Sequence, residues 1–209
     1  MSVLVGSATR MIVQGLGREG RFHAARMVEY GTKVVAATKP GAGGTTADGI
    51  PLFDTVARAV AATGANTSIL FVPAAFVMDA MLEAIDADLE LIVAITEGAP
   101  VADLAKVVAV LAMSRSTLIG PNCPGVISPG QAKVGIMPAE HFTEGHIGFV
   151  SRSGTLTYEI ADLLSAAGLG QSTCIGIGGD PIIGTPTLEA VRLLNEDSDT
   201  EAIVVVGEI

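Results

Sequence analysis

The chain alternates short runs of apolar residues with longer stretches in which apolar residues recur at helical spacing. Short apolar runs bounded by Gly or Pro are typical of buried strands, and the longer stretches are typical of amphipathic helices. This alternation predicts an α/β fold built on a parallel sheet. Strands are expected at Met11–Gln14, Lys33–Thr38, Ser68–Val72, Leu91–Thr96, Thr117–Gly120, Ile147–Val150, Thr173–Ile177 and Ala202–Val206. Helices are expected at Arg21–Tyr30, Asp54–Thr63, Ala74–Leu89, Val101–Met113, Thr155–Ala167 and Thr187–Asn195.

A segment dense in Pro and Gly, from Pro121 to Gly130, divides this pattern into two parts. Such composition favours loops and marks a domain boundary. We expect a first domain at residues 1–124 and a second at residues 125–209. The last predicted strand, Ala202–Val206, is apolar on both alternating faces, as a central parallel strand would be, and the sequence stops soon after it. We therefore expect that position 209 is not a natural domain end.

Composition narrows the classes of function. Apolar residues make up 49% of the chain and charged residues 16%, which predicts a packed core, and the formal net charge is −10. An acidic chain without a run of Lys or Arg is not expected to bind nucleic acid or an anionic membrane. Cys123 and Cys174 lack metal-ligand spacing and His23, His141 and His146 are scattered, so no metal site is expected. The N-terminus lacks the pattern of a signal peptide, which favours a cytoplasmic location, with an organelle matrix as the alternative.

The segment Gly15–Gly20 has the pattern G-x-G-x-x-G between a predicted strand and a predicted helix. Glycines let the backbone approach a ligand closely, and the N–H groups of a helix start favour a phosphate. The second strand ends without the Asp or Glu that an NAD-binding domain uses for the ribose, and Lys39 follows instead. NAD is therefore disfavoured, while NADP or coenzyme A (CoA), which carry an additional phosphate, stay open. A tight turn without a ligand is the alternative.

A second anion site is predicted at Ser151–Thr155, where hydroxyl and N–H groups meet at a helix start. Ordinary helix capping by Ser or Thr is the alternative, and the run is not the G-x-S-x-G of a serine hydrolase. Because parallel strands end at one edge of their sheet, Gly15–Gly20, Thr38–Gly44 and Ile95–Gly98 are expected to border a single ligand. Glu208 also follows a strand, at the equivalent edge of the second unit.

Taken in order, these motifs resemble those of the succinate–CoA ligase alpha subunit along essentially the whole chain. The matching stretches are Tyr30–Lys33, Ala61–Ala65, Ile95–Gly98, Gly120–Gly125, Ser151–Glu159, Gly176–Pro181 and Gly207–Ile209. Malate–CoA ligase, citryl-CoA synthetase and ATP-citrate lyase share much of this pattern, so the acid substrate stays open. The resemblance implies a Rossmann-like CoA-binding domain over residues 1–124 and the N-terminal part of a flavodoxin-like ligase domain over residues 125–209.

The resemblance also implies a reaction of the tricarboxylic acid cycle. A dicarboxylic acid and CoA are joined at the expense of a nucleoside triphosphate through a phosphohistidine. The nucleotide and Mg²⁺ are expected on a beta subunit, which is the expected partner. The residues implied for CoA are Gly17, Arg18, Glu19, Lys39, Ile95, Thr96 and Glu97. Tyr158 is implied for the acid, Ser153 and Gly154 for the phosphoryl group, and Glu208 for orienting the phosphohistidine.

The chain departs from the family pattern in three features. The loop Gly15–Gly20 is one residue shorter and lacks a Thr. Ala42 stands where the family carries a lysine that meets CoA, and Lys39 is expected to compensate in part. The turn with the phosphorylated histidine lies beyond residue 209, and none of the histidines present matches it. We therefore expect no ligase turnover from this chain alone. The alternatives are a non-catalytic CoA-binding or regulatory module and an NADP-dependent oxidoreductase.

Overall fold

The computed structural model describes residues 2–207, which form two β-sheets with helices packed against them. The strands of the first sheet are β1 (Arg10–Gln14), β2 (Lys33–Thr38), β3 (Thr46–Ala47), β4 (Ile50–Phe53), β5 (Thr67–Leu70), β6 (Leu91–Ala94) and β7 (Thr117–Ile119). They lie in the order β3-β4-β2-β1-β5-β6-β7, and every neighbouring pair is parallel except the β3–β4 hairpin. Without the short β3, this is the strand order of a Rossmann fold.

Four α-helices accompany this sheet, and local sequence signals explain their ends. They are α1 (Arg18–Glu29), α2 (Val56–Thr63), α3 (Val77–Asp86) and α4 (Val101–Leu111). The hydroxyl of Thr55 caps the start of α2 by accepting the N–H of Arg58, and Gly64 ends the helix in the left-handed conformation. The central strands β5 and β6 are buried along their whole length, as parallel strands covered on both faces should be.

The second sheet combines parallel strands with an antiparallel hairpin. Its strands are β8 (Gly125–Ser128), β9 (Ala132–Gly135), β10 (Glu144–Ser151), β11 (Gln171–Gly176) and β12 (Ala202–Val206), in the order β12-β10-β11-β8-β9. β10 is parallel to both β11 and β12, whereas β8 is antiparallel to β11 and to β9. The helices α5 (Gly154–Ala166) and α6 (Thr187–Asn195) follow β10 and β11. The order of the parallel strands is that of the start of a flavodoxin-like sheet.

The α/β class and the parallel sheet are confirmed, with corrections to several elements. Helix α1 begins at Arg18 rather than Arg21, because its polar first turn carries no apolar signal. The predicted helix Ala74–Leu89 is split into a 3₁₀ turn, Ala74–Phe76, and the shorter α3. The hairpins β3–β4 and β8–β9 were not predicted from the pattern at all.

Strand β12 has the predicted bounds. Within residues 2–207 it pairs with β10 on one side, and no described strand lies on its other side. The side chain of Val205 is 49% exposed. Apolar residues on both faces of this strand are typical of a parallel strand whose two faces are covered.

A single apolar core cluster joins the two sheets. It contains Met11 and Val13 of β1 together with Val126, Val150 and Ile175 of the second sheet. The N-terminal segment and helix α1 contribute further contacts between the sheets. Because this core is continuous, the two sheets are packed against each other through shared apolar side chains.

Candidate functional site

The turn between β1 and α1 is built around glycines that have different physical roles. Gly15 has a φ of +89°, and a Cβ there would lie 2.8 Å from the backbone nitrogen of Val72. A Cβ on Gly20 would lie 2.1 Å from the carbonyl oxygen of Gly15. Both positions therefore require glycine for packing. A Cβ on Gly17 would have no neighbouring atom within 4 Å, so this glycine faces open space.

The start of α1 presents unused hydrogen-bond donors to this space. Gly17 is the N-cap and supplies no capping side chain, and its carbonyl accepts the N–H of Arg21. Within residues 2–207, the N–H groups of Arg18, Glu19 and Gly20 have no acceptor. These donors and the positive end of the helix dipole together make a site suited to a phosphate.

A cavity of about 520 Å³ lies beside this helix start. Its apolar wall includes Leu16, Pro40, Val72, Pro73 and Phe76. Its polar lining includes Gln14, Thr38, Lys39, Asp79 and Glu83. A concave site with mainly apolar walls and a few polar groups is typical of a small-molecule site.

Of the residues that the resemblance implies for CoA, some line the cavity and others do not. Gly17 and Lys39 line the cavity, and Arg18 and Glu19 follow in the exposed first turn of α1. The segment Ile95–Glu97 follows β6 and does not line this cavity. Of the three loops expected to border one ligand, residues from Gly15–Gly20 and Thr38–Gly44 line the cavity. The loop Ile95–Gly98 lies outside the cavity lining.

A hydrogen bond links that third loop to the cavity wall. The hydroxyl of Thr96 donates to the carbonyl oxygen of Val72 over 2.6 Å. Ile95 and Thr96 are half-buried, whereas Glu97 is exposed. The loop after β6 therefore supports the wall that Val72 forms and leaves Glu97 accessible from outside.

The loop after β2 is held by an acidic side chain. One carboxylate oxygen of Asp54 accepts the N–H groups of Gly41, over 2.9 Å, and of Gly43, over 3.0 Å. Arg58 pairs with the other oxygen of this carboxylate. The half-buried side chain of Ala42 packs against the core cluster. Because Asp54 already occupies these amides, the loop offers a phosphate no N–H group from Gly41 or Gly43.

The segment after β5 is a part of the cavity that the motifs did not indicate. Val72, Pro73, Phe76, Asp79 and Glu83 come from this segment and from α3. Phe76 is 60% exposed, which is unusual for a large aromatic side chain. Since β5 is a parallel neighbour of β1, its carboxyl end lies at the same edge. The predicted parallel sheet could therefore have indicated that the segment after β5 borders the same site.

The second predicted anion site is a tight turn between β10 and α5. The hydroxyl of Ser153 caps the helix by accepting the N–H of Leu156, as the capping interpretation expects. The N–H of Ser153 is itself donated to the hydroxyl of Ser151 over 3.1 Å. The N–H groups of Gly154 and Thr155 have no acceptor within residues 2–207. The cap and an anion site can therefore coexist at this helix start.

Tyr158 lies one helical turn after Gly154, on the same side of α5. Burial raises the pKa of its phenol above the ordinary value, with a smaller effect in the same direction from the Cys174 and Cys123 thiols. Its ring stacks on that of His141, at 6.5 Å between centroids. The phenol therefore stays protonated and able to donate a hydrogen bond at neutral pH. Glu208, the other residue implied near this site, lies outside the described residues.

Cys123 lies between the two sites and is buried. Its thiol donates to the carbonyl oxygen of Ala94 over 3.2 Å, and burial raises its pKa to about 12. Burial also raises the pKa of the Cys174 thiol. In the unfolded chain these thiols ionise near pH 9, so the unfolded state releases protons first as the pH rises. The free energy of unfolding should therefore fall between pH 9 and about 12.

This pH dependence can be measured by guanidinium denaturation at pH 8 and at pH 10. We expect wild type to lose about 1 kcal/mol more than Cys123→Ala over this interval, because each thiol contributes up to about 1.4 kcal/mol per pH unit. Equal losses in the two proteins would show that Cys123 ionises as readily in the folded state as in the unfolded state.

Residues 2–207 contain neither a metal-binding cluster nor a membrane-spanning helix. No group of three or more His, Cys, Asp and Glu side chains in that part of the chain is arranged to hold a metal ion. No helix there is long and apolar enough to cross a membrane.

Comparisons with known proteins match both units of the chain. The sequence model of the CoA binding domain matches residues 7–98, and that of the CoA-ligase family matches residues 150–209. A solved structure of ATP citrate lyase from Methanothrix soehngenii, in complex with citrate and coenzyme A, has a TM-score of 0.87 and 22% identity. The match covers 99% of this chain and 37% of that one, and at this identity it shows the fold alone.

The fold, the open helix starts and these domain matches define a CoA-binding protein of the CoA-ligase class. Curated relatives specify the family further. The succinate–CoA ligase [ADP-forming] subunit alpha of Aquifex aeolicus is 54% identical over 100% of this chain and 70% of its own length. Subunit alpha 2 of Archaeoglobus fulgidus is 53% identical, over 100% of this chain and 73% of its own length. The chain belongs to the succinate–CoA ligase alpha-subunit family.

Proposed function

We propose that this chain binds CoA and a phosphoryl group as the alpha subunit of a ligase that joins succinate to CoA. The observation that supports this most directly is the presence of two open helix starts, one at the carboxyl end of β1 and one at the carboxyl end of β10. Each start has N–H donors without an acceptor among the described residues. Two separate anion sites suit a reaction in which a phosphoryl group and CoA act together.

The first site fits the nucleotide part of CoA. The N–H groups of Arg18, Glu19 and Gly20 suit its pyrophosphate, and Gly17 leaves room for it. The apolar wall that includes Phe76 suits the adenine ring. The exposed Lys39 at the cavity edge suits the 3′-phosphate that distinguishes CoA from NAD. When bound, CoA supplies the thiol that accepts the acyl group.

The second site fits a phosphoryl group and the acid. The N–H groups of Gly154 and Thr155 and the dipole of α5 stabilise negative charge on phosphoryl oxygens. Tyr158, one turn along the same side of the helix, is suited to donate a hydrogen bond to a carboxylate of the acid. Glu208 is proposed to orient the phosphorylated histidine. None of the three histidines in this chain is proposed for that role. His23 stacks on the ring of Phe71, His141 bonds to Asp162, and His146 bonds to the carbonyl oxygen of Asp199.

A beta subunit is proposed as the partner and as the carrier of the nucleoside triphosphate and Mg²⁺. Leu156 and Leu163 lie about two turns apart on one face of α5 and are 44% and 63% exposed. Such apolar side chains near the proposed phosphoryl site suit contact with another chain. The proposed location of this assembly is the cytoplasm. We also propose that the boundary between the CoA-binding domain and the ligase domain lies between residues 124 and 125.

The CoA site is tested by calorimetry with CoA and with dephospho-CoA, which lacks the 3′-phosphate. We expect micromolar binding of CoA to wild type, and about tenfold weaker binding to Lys39→Met because a charge-assisted contact is lost. Dephospho-CoA should bind wild type and Lys39→Met with equal affinity. Lys106→Met, which changes an exposed lysine paired with Asp103 on α4, is the matched control and should bind CoA normally.

Absence of CoA binding to folded wild type would contradict the proposed function. Equal weakening of CoA and dephospho-CoA by Lys39→Met would contradict the role given to Lys39. A parallel titration with NADP distinguishes the ligand class, because a dinucleotide-binding oxidoreductase would bind NADP more tightly than CoA.

A further inference from the structure

Arg152 is a half-buried cation that no carboxylate neutralises among the described residues. One terminal nitrogen of its guanidinium donates to the carbonyl oxygens of Gly179, over 3.2 Å, and Asp180, over 2.8 Å. Its Nε is buried and has no hydrogen-bond partner within residues 2–207. A buried donor without a partner is destabilising, so stability alone does not explain this arrangement.

Arg152 also belongs to the turn that forms the proposed phosphoryl site. Its backbone N–H donates to the carbonyl oxygen of Val206 in β12, and the next residue, Ser153, caps α5. The side chain therefore ties the residue directly before the helix start to the loop after β11. Loss of that tie removes one of the contacts that hold the turn, beside the Ser151–Ser153 hydrogen bonds and the backbone bond to Val206.

The loop after β11 is in turn bonded to the first unit through Asn122. The amide nitrogen of the Asn122 side chain donates to a carboxylate oxygen of Asp180 over 2.9 Å. The carbonyl oxygen of Asn122 accepts the N–H of Gly179 over 3.1 Å. Asn122 has a φ of +53°, in the left-handed region that Asn tolerates more readily than most residues other than glycine. These hydrogen bonds further fix the backbone of this residue.

The same residue continues the connection to the CoA site. The N–H of Asn122 donates to the carbonyl oxygen of Thr96 over 3.0 Å, and Thr96 bonds to Val72 in the cavity wall. A continuous set of hydrogen bonds therefore runs from the CoA cavity to Arg152. Reactions between two bound groups depend steeply on their relative position, and a misplacement of about 1 Å lowers rates by about a hundredfold.

We infer that Arg152 is a positioning residue that fixes the phosphoryl-binding helix start relative to the CoA site. It acts through the carbonyl groups of Gly179 and Asp180 rather than by touching a ligand. This inference rests on the two sites of the proposed function. It assigns to Arg152 a role that neither the glycine-rich turns nor the family matches indicate.

The test is a titration of ¹⁵N-labelled protein with inorganic phosphate, followed at the amides of Gly154 and Thr155. For Arg152→Gln we expect phosphate affinity to fall about tenfold, since the amides are no longer held in one arrangement. Arg152→Lys keeps a donor for the same carbonyls and should recover part of the loss. CoA affinity, measured by calorimetry, should stay within about twofold of wild type in both variants. Arg192→Gln, which changes an exposed arginine paired with Glu189, is the matched control.

A purely structural role would lower the melting temperature without changing phosphate affinity in the folded protein. The inference is therefore overturned if folded Arg152→Gln binds phosphate like wild type, or if Lys recovers nothing. If Arg152→Gln does not fold, Asn122→Ala removes the side-chain hydrogen bond that holds the loop at Asp180 and keeps the backbone hydrogen bonds of residue 122. That variant should also weaken phosphate binding, and wild-type affinity in it would equally overturn the inference. If wild type does not bind CoA, the proposed function is contradicted. If wild type binds CoA but phosphate does not change the chemical shift of the Gly154 amide, the phosphoryl site is contradicted, and with it the role of Arg152.

Discussion

Replacing Gly17 by Asp is expected to weaken CoA binding strongly while leaving the protein at least as stable as wild type. A side chain at this position meets no atom within 4 Å, and its backbone lies in the extended region that other residues adopt freely. Asp is a better N-cap than Gly by a few tenths of a kcal/mol. Its carboxylate would accept the N–H groups of Glu19 or Gly20 and so occupy the donors proposed for the pyrophosphate.

We expect CoA affinity to fall at least about a hundredfold, or about 2.7 kcal/mol, because the same donors are lost and two negative charges are opposed. Calorimetry measures the loss, and thermal denaturation checks the fold. Gly17→Asn caps the helix without a charge and should lose less affinity, so the difference between the two variants isolates the electrostatic part. CoA binding by Gly17→Asp within threefold of wild type would show that this helix start is not used.

Replacing Ala42 by Lys is expected to strengthen CoA binding about ten- to hundredfold, or about 1.5–3 kcal/mol. Asp54 already accepts the N–H groups of Gly41 and Gly43, so the loop has few donors to offer a phosphate. A lysine here adds a charged donor beside Lys39. The gain should shrink as salt is added, because the new contact is electrostatic.

Calorimetry at low and high salt measures this gain against Ala42→Met, a variant of similar length without the charge. Ala42 packs partly against the core cluster, so the Met variant also reports any effect of filling that space. Equal gains from Lys and Met would contradict a phosphate contact at this position. No gain from Lys would show that the loop lies away from the bound coenzyme.

Strongly apolar segments with clear boundaries could be predicted to the residue. Strands β2 and β12 and helix α6 have the bounds that the pattern gives. Polar residues or glycine flank the two strands, and Pro186 precedes the helix. The hairpin β8–β9 could not be predicted, since its glycines are typical of loops. In the structure, a Cβ on Gly125 would lie 2.5 Å from the Cα of Gly135. The glycines therefore permit the two strands to approach closely, and a single sequence does not reveal that contact.

The candidate site was predictable where its chemistry depends on backbone geometry. The anion-binding turns before α1 and α5 follow from glycine and hydroxyl residues placed directly after strands, although the pattern places the start of α1 at Arg21 instead of Arg18. The wall formed by Val72, Pro73 and Phe76 carries no motif, because apolar side chains in a loop do not reveal which cavity they face. The connection through Arg152 depends on contacts between residues far apart in sequence, which spacing alone cannot predict.

Segments on each side of the proposed boundary at residue 124 contact the sheet on the other side. The N–H of Val3, which precedes β1, donates to the hydroxyl of Thr173 in β11 over 3.2 Å. In the other direction, the N–H of Gly135 in β9 contacts the sulfur of Met27 in α1 over 3.4 Å. Dividing the polypeptide near residue 124 would therefore remove contacts that each half makes with the other. Each half therefore contacts the other through segments from both sides of residue 124. We expect these contacts to oppose a hinge motion between the proposed CoA site and the proposed phosphoryl site.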